Sequence, residues 1–222
     1  MSALEPLLLS FEVAALATVF ASVLGVTLGG VLAMRRIWGR ELLDAAVTAP
    51  MVLPPTVLGY YLLVLLGRES TLGRAFEALT GSTIVFTRGG AVVAATIGAL
   101  PLISKAARAA LESVDVRLIG AARTLGASNL RAFFSVSLPL ARRGITAGIM
   151  LGFARALGDF GVTLMVAGNI PGETRTASLA IYDAVLAGRD TDATYLALVM
   201  SGLAVAVLFG AGTLTRQRRD GF

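Results

Sequence analysis

The amino-acid sequence predicts an all-α integral membrane protein of about five transmembrane helices, six being possible, and three observations carry that expectation. Of its 222 residues 56% are hydrophobic and 15% charged, with a mean hydropathy of +0.80, whereas a soluble domain carries about 25% charged residues. Apolar runs long enough to cross ~30 Å of hydrocarbon, at about 1.5 Å per residue, recur along the chain. The basic residues gather in alternate connections between those runs. One transmembrane domain over residues 1–222 accounts for the length, leaving no space for a second, soluble domain.

The first span runs from Val13 to Ala33 without a charge, and "MRRIWGR" follows it. No basic residue precedes it, so a retained span is expected rather than a cleaved signal peptide. The second span, Ala45 to Gly67, contains Pro50, Pro54 and Pro55. Each proline removes a donor and frees a carbonyl about one turn earlier, and in hydrocarbon such carbonyls need protein or water as partners. A kink that only shapes packing is one outcome; adjacent prolines at mid-span favour a discontinuous helix lining a cavity, with Pro54 and Pro55 at its wall.

The third span, Gly89 to Ser104, runs on past Lys105 and Arg108. The fourth, Gly144 to Gly168, is interrupted only by Arg155 and Asp159, and the fifth is Ala193 to Thr215. Small-residue stripes, Gly25 with Gly29 and Gly144 with Gly148 and Gly152, predict close helix packing, within the subunit or across a dimer. Between the last two spans Ala177, Ala180, Ile181 and Val185 share one face, which predicts a short interfacial helix lying on the membrane.

Thirteen Lys/Arg fall on one side of these spans: Arg35, Arg36 and Arg40, seven between Lys105 and Arg143, and Arg216, Arg218 and Arg219. Five fall on the other: Arg68, Arg74, Arg88, Arg175 and Arg189. The richer side is expected to be cytoplasmic, with the N-terminus outside and the C-terminus inside. The same bias explains the net charge of +5 without nucleic acid as a partner.

Residue types that are missing exclude chemistry. Without Cys or His the chain offers no thiolate nucleophile, imidazole base or ordinary zinc site. Neither a catalytic nor a metal-binding residue is expected. The single lysine, Lys105, follows Ser104 rather than a glycine, so no phosphate-binding GxxxxGK[ST] loop exists. No internal repeat or low-complexity linker stands out.

The longest basic connection, about residues 105–143, reads as helix, break, helix. Ser104 to Leu125 extends the third span into water, Gly126 stops it, and Ser128 or Asn129 caps a segment with Leu130, Phe133, Phe134 and Leu138 at helical spacing before Pro139. Either its apolar face packs on the spans, or the segment docks another protein. In the docking case, small Ala121 and Ala122 beside Arg123 and Leu125 permit close approach.

This stretch, "GAARTLGASNLRAFFSVSLP", resembles the EAA loop of ABC importer permeases, whose pattern is E-A-A, three residues, G, nine residues, I-x-L-P. Ala121, Ala122, Gly126, Leu138 and Pro139 fall on the pattern; Gly120 stands where the family has Glu, and Val136 where it has Ile. "LPPTVLGYYLLVLLGR" and "FARALGDFGVTLMVAGNIPGETRT" are similar to the molybdate, tungstate and sulfate permeases. The resemblance implies a type I importer permease fold in a prokaryotic plasma (inner) membrane. It also implies a cytoplasmic coupling helix carrying Gly120, Ala121, Ala122, Arg123, Leu125 and Gly126. Its implied partners are a second copy, membrane lipid, two ATP-binding cassette subunits that hold Mg-ATP in place of any cofactor in this chain, and an external oxyanion-binding protein. The implied cargo is molybdate, with tungstate or sulfate as alternatives.

Arg155 and Asp159, four residues apart, are expected on one helical face. Each costs about 2.5–3.5 kcal/mol at mid-membrane on insertion scales, so both should face protein or a wet path. Two roles stay open: a self-neutralising pair that locks helices, or the wall of a gate at which Arg155 attracts an anion. An integral membrane enzyme using this pair as acid and base is the rival from another class, and a channel or proton-coupled carrier is a third. The scarcity of other ionisable side chains at membrane depth argues against the enzyme.

Overall fold

The computed structural model describes residues 4–34 and 38–215. Arg35, Arg36, Arg216, Arg218 and Arg219, used above for orientation, lie outside the described residues. All regular structure among the described residues is helical: α1 (Leu4–Ala33), α2 (Arg40–Val52), α3 (Pro55–Leu66), α4 (Thr71–Thr80), α5 (Arg88–Glu112), α6 (Val116–Thr124), α7 (Asn129–Ala132), α8 (Leu138–Leu157), α9 (Gly161–Ala167), α10 (Ala177–Leu186) and α11 (Asp190–Thr215). Three of them, α1, α5 and α11, are long and apolar enough to cross a membrane unaided. Two bent pairs bring the number to five when each is one broken span: α2 with α3 at 114°, and the α7–α8 unit with α9 at 61°.

Helix α5 is the axis of the bundle. Ala91, Ala95, Ala99 and Ile103 are fully buried and pack with Val13, Ala14, Ala17 and Ala21 of α1. The glycine stripes are what let the axes approach. A Cβ at Gly29 would sit 2.6 Å from the Ser104 carbonyl oxygen, and one at Gly25 would sit 2.9 Å from Ile103. On the other side of α5, Gly144 and Gly148 of α8 lie against Ala110 and Ala106, and Gly152 against Ile103. Both stripes therefore serve packing within the subunit.

The second span is discontinuous at Pro54–Pro55 as expected, while Pro50 and three other segments differ from expectation. The second span breaks at Leu53–Pro54, and Pro55 opens α3 at a first-turn position where its missing N–H costs nothing. Pro50, by contrast, stays inside α2. Pro139 does not end a helix: α7 runs through a π-helical turn at Phe133–Ser137 into α8, with Pro139 in its first turn. Helix α5 stops at Glu112, earlier than Leu125, because Asp115 starts a new helix by accepting a hydrogen bond from the Arg117 N–H at 2.8 Å. Helix α10 is packed rather than lying free: Ala177, Leu179, Ala180 and Ala184 are buried, Val185 is exposed, and the Ala177 N–H donates to Ser10 Oγ at 2.7 Å.

The two ends of the bundle are held differently. At one end the Arg88 guanidinium donates to the carbonyls of Gly172 and Glu173 and lies 3.7 Å from Glu12. At the other, Arg40 pairs with Glu112 at 2.9 Å, and Arg108 pairs with Asp44 at 2.9 Å and Glu112 at 3.0 Å. These contacts set α2 antiparallel to the end of α5.

Candidate functional site

Helix α6 stands out of the bundle at the Glu112 end, and none of its residues is buried. Ile119, half-buried, anchors it in a cluster with Leu111, Val114 and Phe133. Apolar side chains are open to solvent around it: Val116, Leu118 and Leu125 are exposed, with Leu125 at 89%, and Leu130 beyond the turn is exposed at 70%. Gly120 and Gly126 have open space where a side chain would stand.

The turn after α6 is built by hydrogen bonds. The Ala127 N–H donates to the Ala122 carbonyl and the Gly126 N–H to that of Arg123, both at 3.0 Å, and Gly126 has φ +88°. This is a Schellman cap, which places a glycine in the left-handed region to satisfy the last carbonyls. Ser128 then starts α7, its Oγ accepting from the Arg131 N–H. Ala121, Arg123 and Leu125 all remain exposed, and Ala122 half-buried.

Inside the bundle, Arg155 Nη1 lies 2.9 Å from Asp159 Oδ1, the arginine side chain 36% exposed and the aspartate 2%. The two do not share one continuous helix. Helix α8 ends at Leu157, and Asp159 sits in the break before α9, where its Oδ2 accepts from the Thr163 N–H at 3.0 Å and hydroxyl at 2.7 Å. One carboxylate thus ties the end of α8 to the start of α9 and satisfies donors that the broken helix leaves open. The Thr163 contribution is absent from the sequence reading, although a Thr four residues after an intramembrane Asp was its available signal.

The structure also brings the proline break to this place. A Cβ at Gly161 would approach Pro55 Cβ to 2.8 Å, so α3 begins directly against α9. Gly98 of α5 faces the ion pair: a Cβ there would lie 3.6 Å from Arg155 Nη2 and 3.7 Å from Asp159 Oδ1. Pro55, Gly98, Arg155 and Asp159 therefore converge, while the α6 residues stand apart at the Glu112 end. Pro54 caps α3 on the same break.

Asp159→Asn is expected to destabilise the folded protein by about 2–3 kcal/mol, since a buried acceptor of three bonds weakens and Arg155 loses its counter-charge. The double variant Arg155→Met with Asp159→Asn should recover part of that loss. Thermal unfolding in detergent, read by size exclusion, measures both; a single variant as stable as the parent would contradict the assigned bonds.

Among the described residues no group of His, Cys, Asp and Glu is arranged to hold a metal ion. Residues 21–218 match the family of binding-protein-dependent transport system inner membrane components. The chain is 42% identical to the molybdenum transport system permease protein of Escherichia coli K12, over 97% of this chain and 95% of that one. It is 40% identical to a putative molybdenum transport system permease protein of Bacillus subtilis, over 84% and 82% respectively. A probable sulfate transport system permease protein of Chlorokybus atmophyticus is 33% identical, over 94% and 74%. Among solved structures, an inward-facing methionine ABC transporter superposes with a TM-score of 0.77 at 19% identity, covering 97% of this chain and 100% of that chain. A bacterial alginate ABC transporter bound to its periplasmic protein superposes with a TM-score of 0.75 at 15% identity, covering 96% and 78%. The fold is that of the ABC importer permeases.

Proposed function

Because the chain belongs to the family of binding-protein-dependent transport system inner membrane components, we propose that it is the permease subunit of an ATP-driven importer of a tetrahedral oxyanion, molybdate. The observation that supports the cargo is identity of 40% or more to molybdenum permeases over most of the chain, against 33% to the sulfate permease. The chain itself is a non-catalytic transport subunit. In this reading it forms a homodimer in the prokaryotic inner membrane, embedded in lipid. Two ATP-binding cassette subunits hold Mg-ATP on the cytoplasmic face, and an external binding protein delivers the anion.

The protruding segment of α6 and its cap, with Gly120, Ala121, Ala122, Arg123, Leu125 and Gly126, is the surface on which an ATPase subunit docks. An aqueous helix showing Val116, Leu118 and Leu125 to solvent supports a partner there. The basic Glu112 end is then cytoplasmic, and the end with Glu12 and Arg88 faces outward. Movement of α6 passes to α5 through Ile119 and Leu111, and to α2 through Glu112 and Arg40. The breaks at Pro54–Pro55 and Gly158–Phe160 are where α3 and α9 can swing to open the pathway on alternate sides. Asp159 is the hinge tie of that motion, with Arg155 on the pathway wall.

The complex of this chain with its ATPase and binding protein, reconstituted in vesicles, is expected to accumulate molybdate only with ATP, and tungstate should compete better than sulfate. Uptake of sulfate in preference to molybdate would replace the cargo. ATP-independent uptake by the lone subunit would overturn the importer.

A further inference from the structure

We propose that Lys105 is a binding residue for the translocated oxyanion, a cation placed on the inner half of the pathway between the Arg155–Asp159 pair and the basic mouth. The proposal rests on the importer reading above and adds to it a residue for which no role has been assigned.

Placement comes from the register of α5. Gly98, Leu102, Lys105 and Ala109 follow one another at spacings of four, three and four, so they share one face of that helix. Gly98 meets the Arg155–Asp159 pair. Lys105 stands seven residues nearer the α6 end, about 10 Å along the axis. The neighbouring faces of α5 are occupied: Ala106 and Ala110 pack on α8, Gly29 of α1 crowds Ser104 and Ala107, and Arg108 and Glu112 hold α2. The strip between the α2 side and the α8 side is left open, with Lys105 and Ala109 exposed and Leu102 half-buried.

Charge pairing separates Lys105 from its neighbours. Arg40 and Arg108 are neutralised by Glu112 and Asp44, and Arg155 by Asp159. Lys105 forms no ion pair with any described residue. Its positions one turn away hold Pro101, Leu102, Arg108 and Ala109, so its own helix supplies no carboxylate. An uncompensated ammonium at the basic end of a span calls for a counter-ion or a water-filled path. The preceding residue in sequence, Ser104, on the neighbouring occupied face, has a buried hydroxyl without a hydrogen-bond partner. On α2, one turn after Asp44, the Thr48 hydroxyl is also buried and unpartnered. A mobile, strongly hydrated point charge suits an anion that must be released again.

The chain contains no cysteine, which makes a single introduced thiol unique in this subunit. In the vesicle-reconstituted complex, Lys105→Met and Lys105→Cys should lower molybdate uptake by about tenfold or more, the loss expected for one charge-assisted contact. Lys105→Arg should retain most of it. Aminoethyl methanethiosulfonate, which attaches an ammonium to the introduced thiol through a disulfide, should restore uptake; methyl methanethiosulfonate, which attaches a neutral cap, should not. Molybdate should slow modification of that thiol.

Uptake unchanged in Lys105→Met, or restored equally by both reagents, would overturn the assignment while leaving the importer intact. Loss of co-purification with the ATPase in both the Met and Cys variants would assign Lys105 to packing and likewise overturn it. Absence of ATP-dependent uptake in the unsubstituted complex would fail the importer reading itself.

Discussion

Ala122→Trp is expected to detach the ATPase subunit and bring ATP-dependent uptake close to background. A surface that approaches a partner on the side of Ala121 and Ala122 has no space for an indole. Overfilled contacts cost about 1–3 kcal/mol or more, and each 1.4 kcal/mol is tenfold in affinity. Gly126→Val should act on the same step by another route. Gly126 has φ +88°, where a β-branched residue is strained, so the cap that ends α6 would rearrange and re-aim the helix. Neither position lies in the buried core: Gly126 has open space around it, Ala122 is half-buried, and α6 has no fully buried residue. Both variants should therefore insert and elute as the parent does, while co-purification of the ATPase falls. Full partner binding and normal uptake in both would remove α6 from the docking surface.

Gly29→Leu should have the opposite signature, an effect on the fold before any effect on partners. Its first added carbon would lie 2.6 Å from the Ser104 carbonyl oxygen and 2.9 Å from the Ala107 methyl. The first of these is backbone, which cannot rotate away, so α1 must leave α5. Gly148→Leu meets the Ala106 methyl from the α8 side of the same helix. Each is expected to cost about 3 kcal/mol or more, the large end of single-residue effects. Gly202→Leu on α11, where nothing lies within 4 Å, is the matched control and should be tolerated. Thermal midpoints in detergent decide it. A Gly29→Leu protein as stable as the control would contradict the α1–α5 approach.

Much of this was legible in the residues. Membrane class follows from composition, which is additive and needs no contacts. The proline break in the second span was legible because Pro acts on its own backbone, and the stop at Gly126 because a left-handed cap favours one residue type. The segment around α6 read as helix, break, helix, with Ser128 as one of two candidate caps. Its start was misplaced, since the interruption at Ser113–Asp115 follows a run of good helix formers and only the cap bond of Asp115 reveals it. The turn at Gly158–Phe160 was hidden likewise: its apolar flanks continue the hydropathy of a span, and hydropathy carries no record of direction.

Sequence alone determined that this protein is an all-helical membrane chain with a long basic helix–break–helix connection and an intramembrane Arg–Asp pair. Tertiary structure decided what each feature faces. It turned the glycine stripes inward onto α5, set Asp159 between two helices with Thr163 as a further donor, joined Pro55 to that place, and left Lys105 uncompensated while Arg40 and Arg108 found carboxylates. The physical reason is range. Propensity, capping and hydropathy act within a few residues along the chain, whereas pairing of charges and fit of small residues depend on helix register and crossing, which residues far apart in sequence set together.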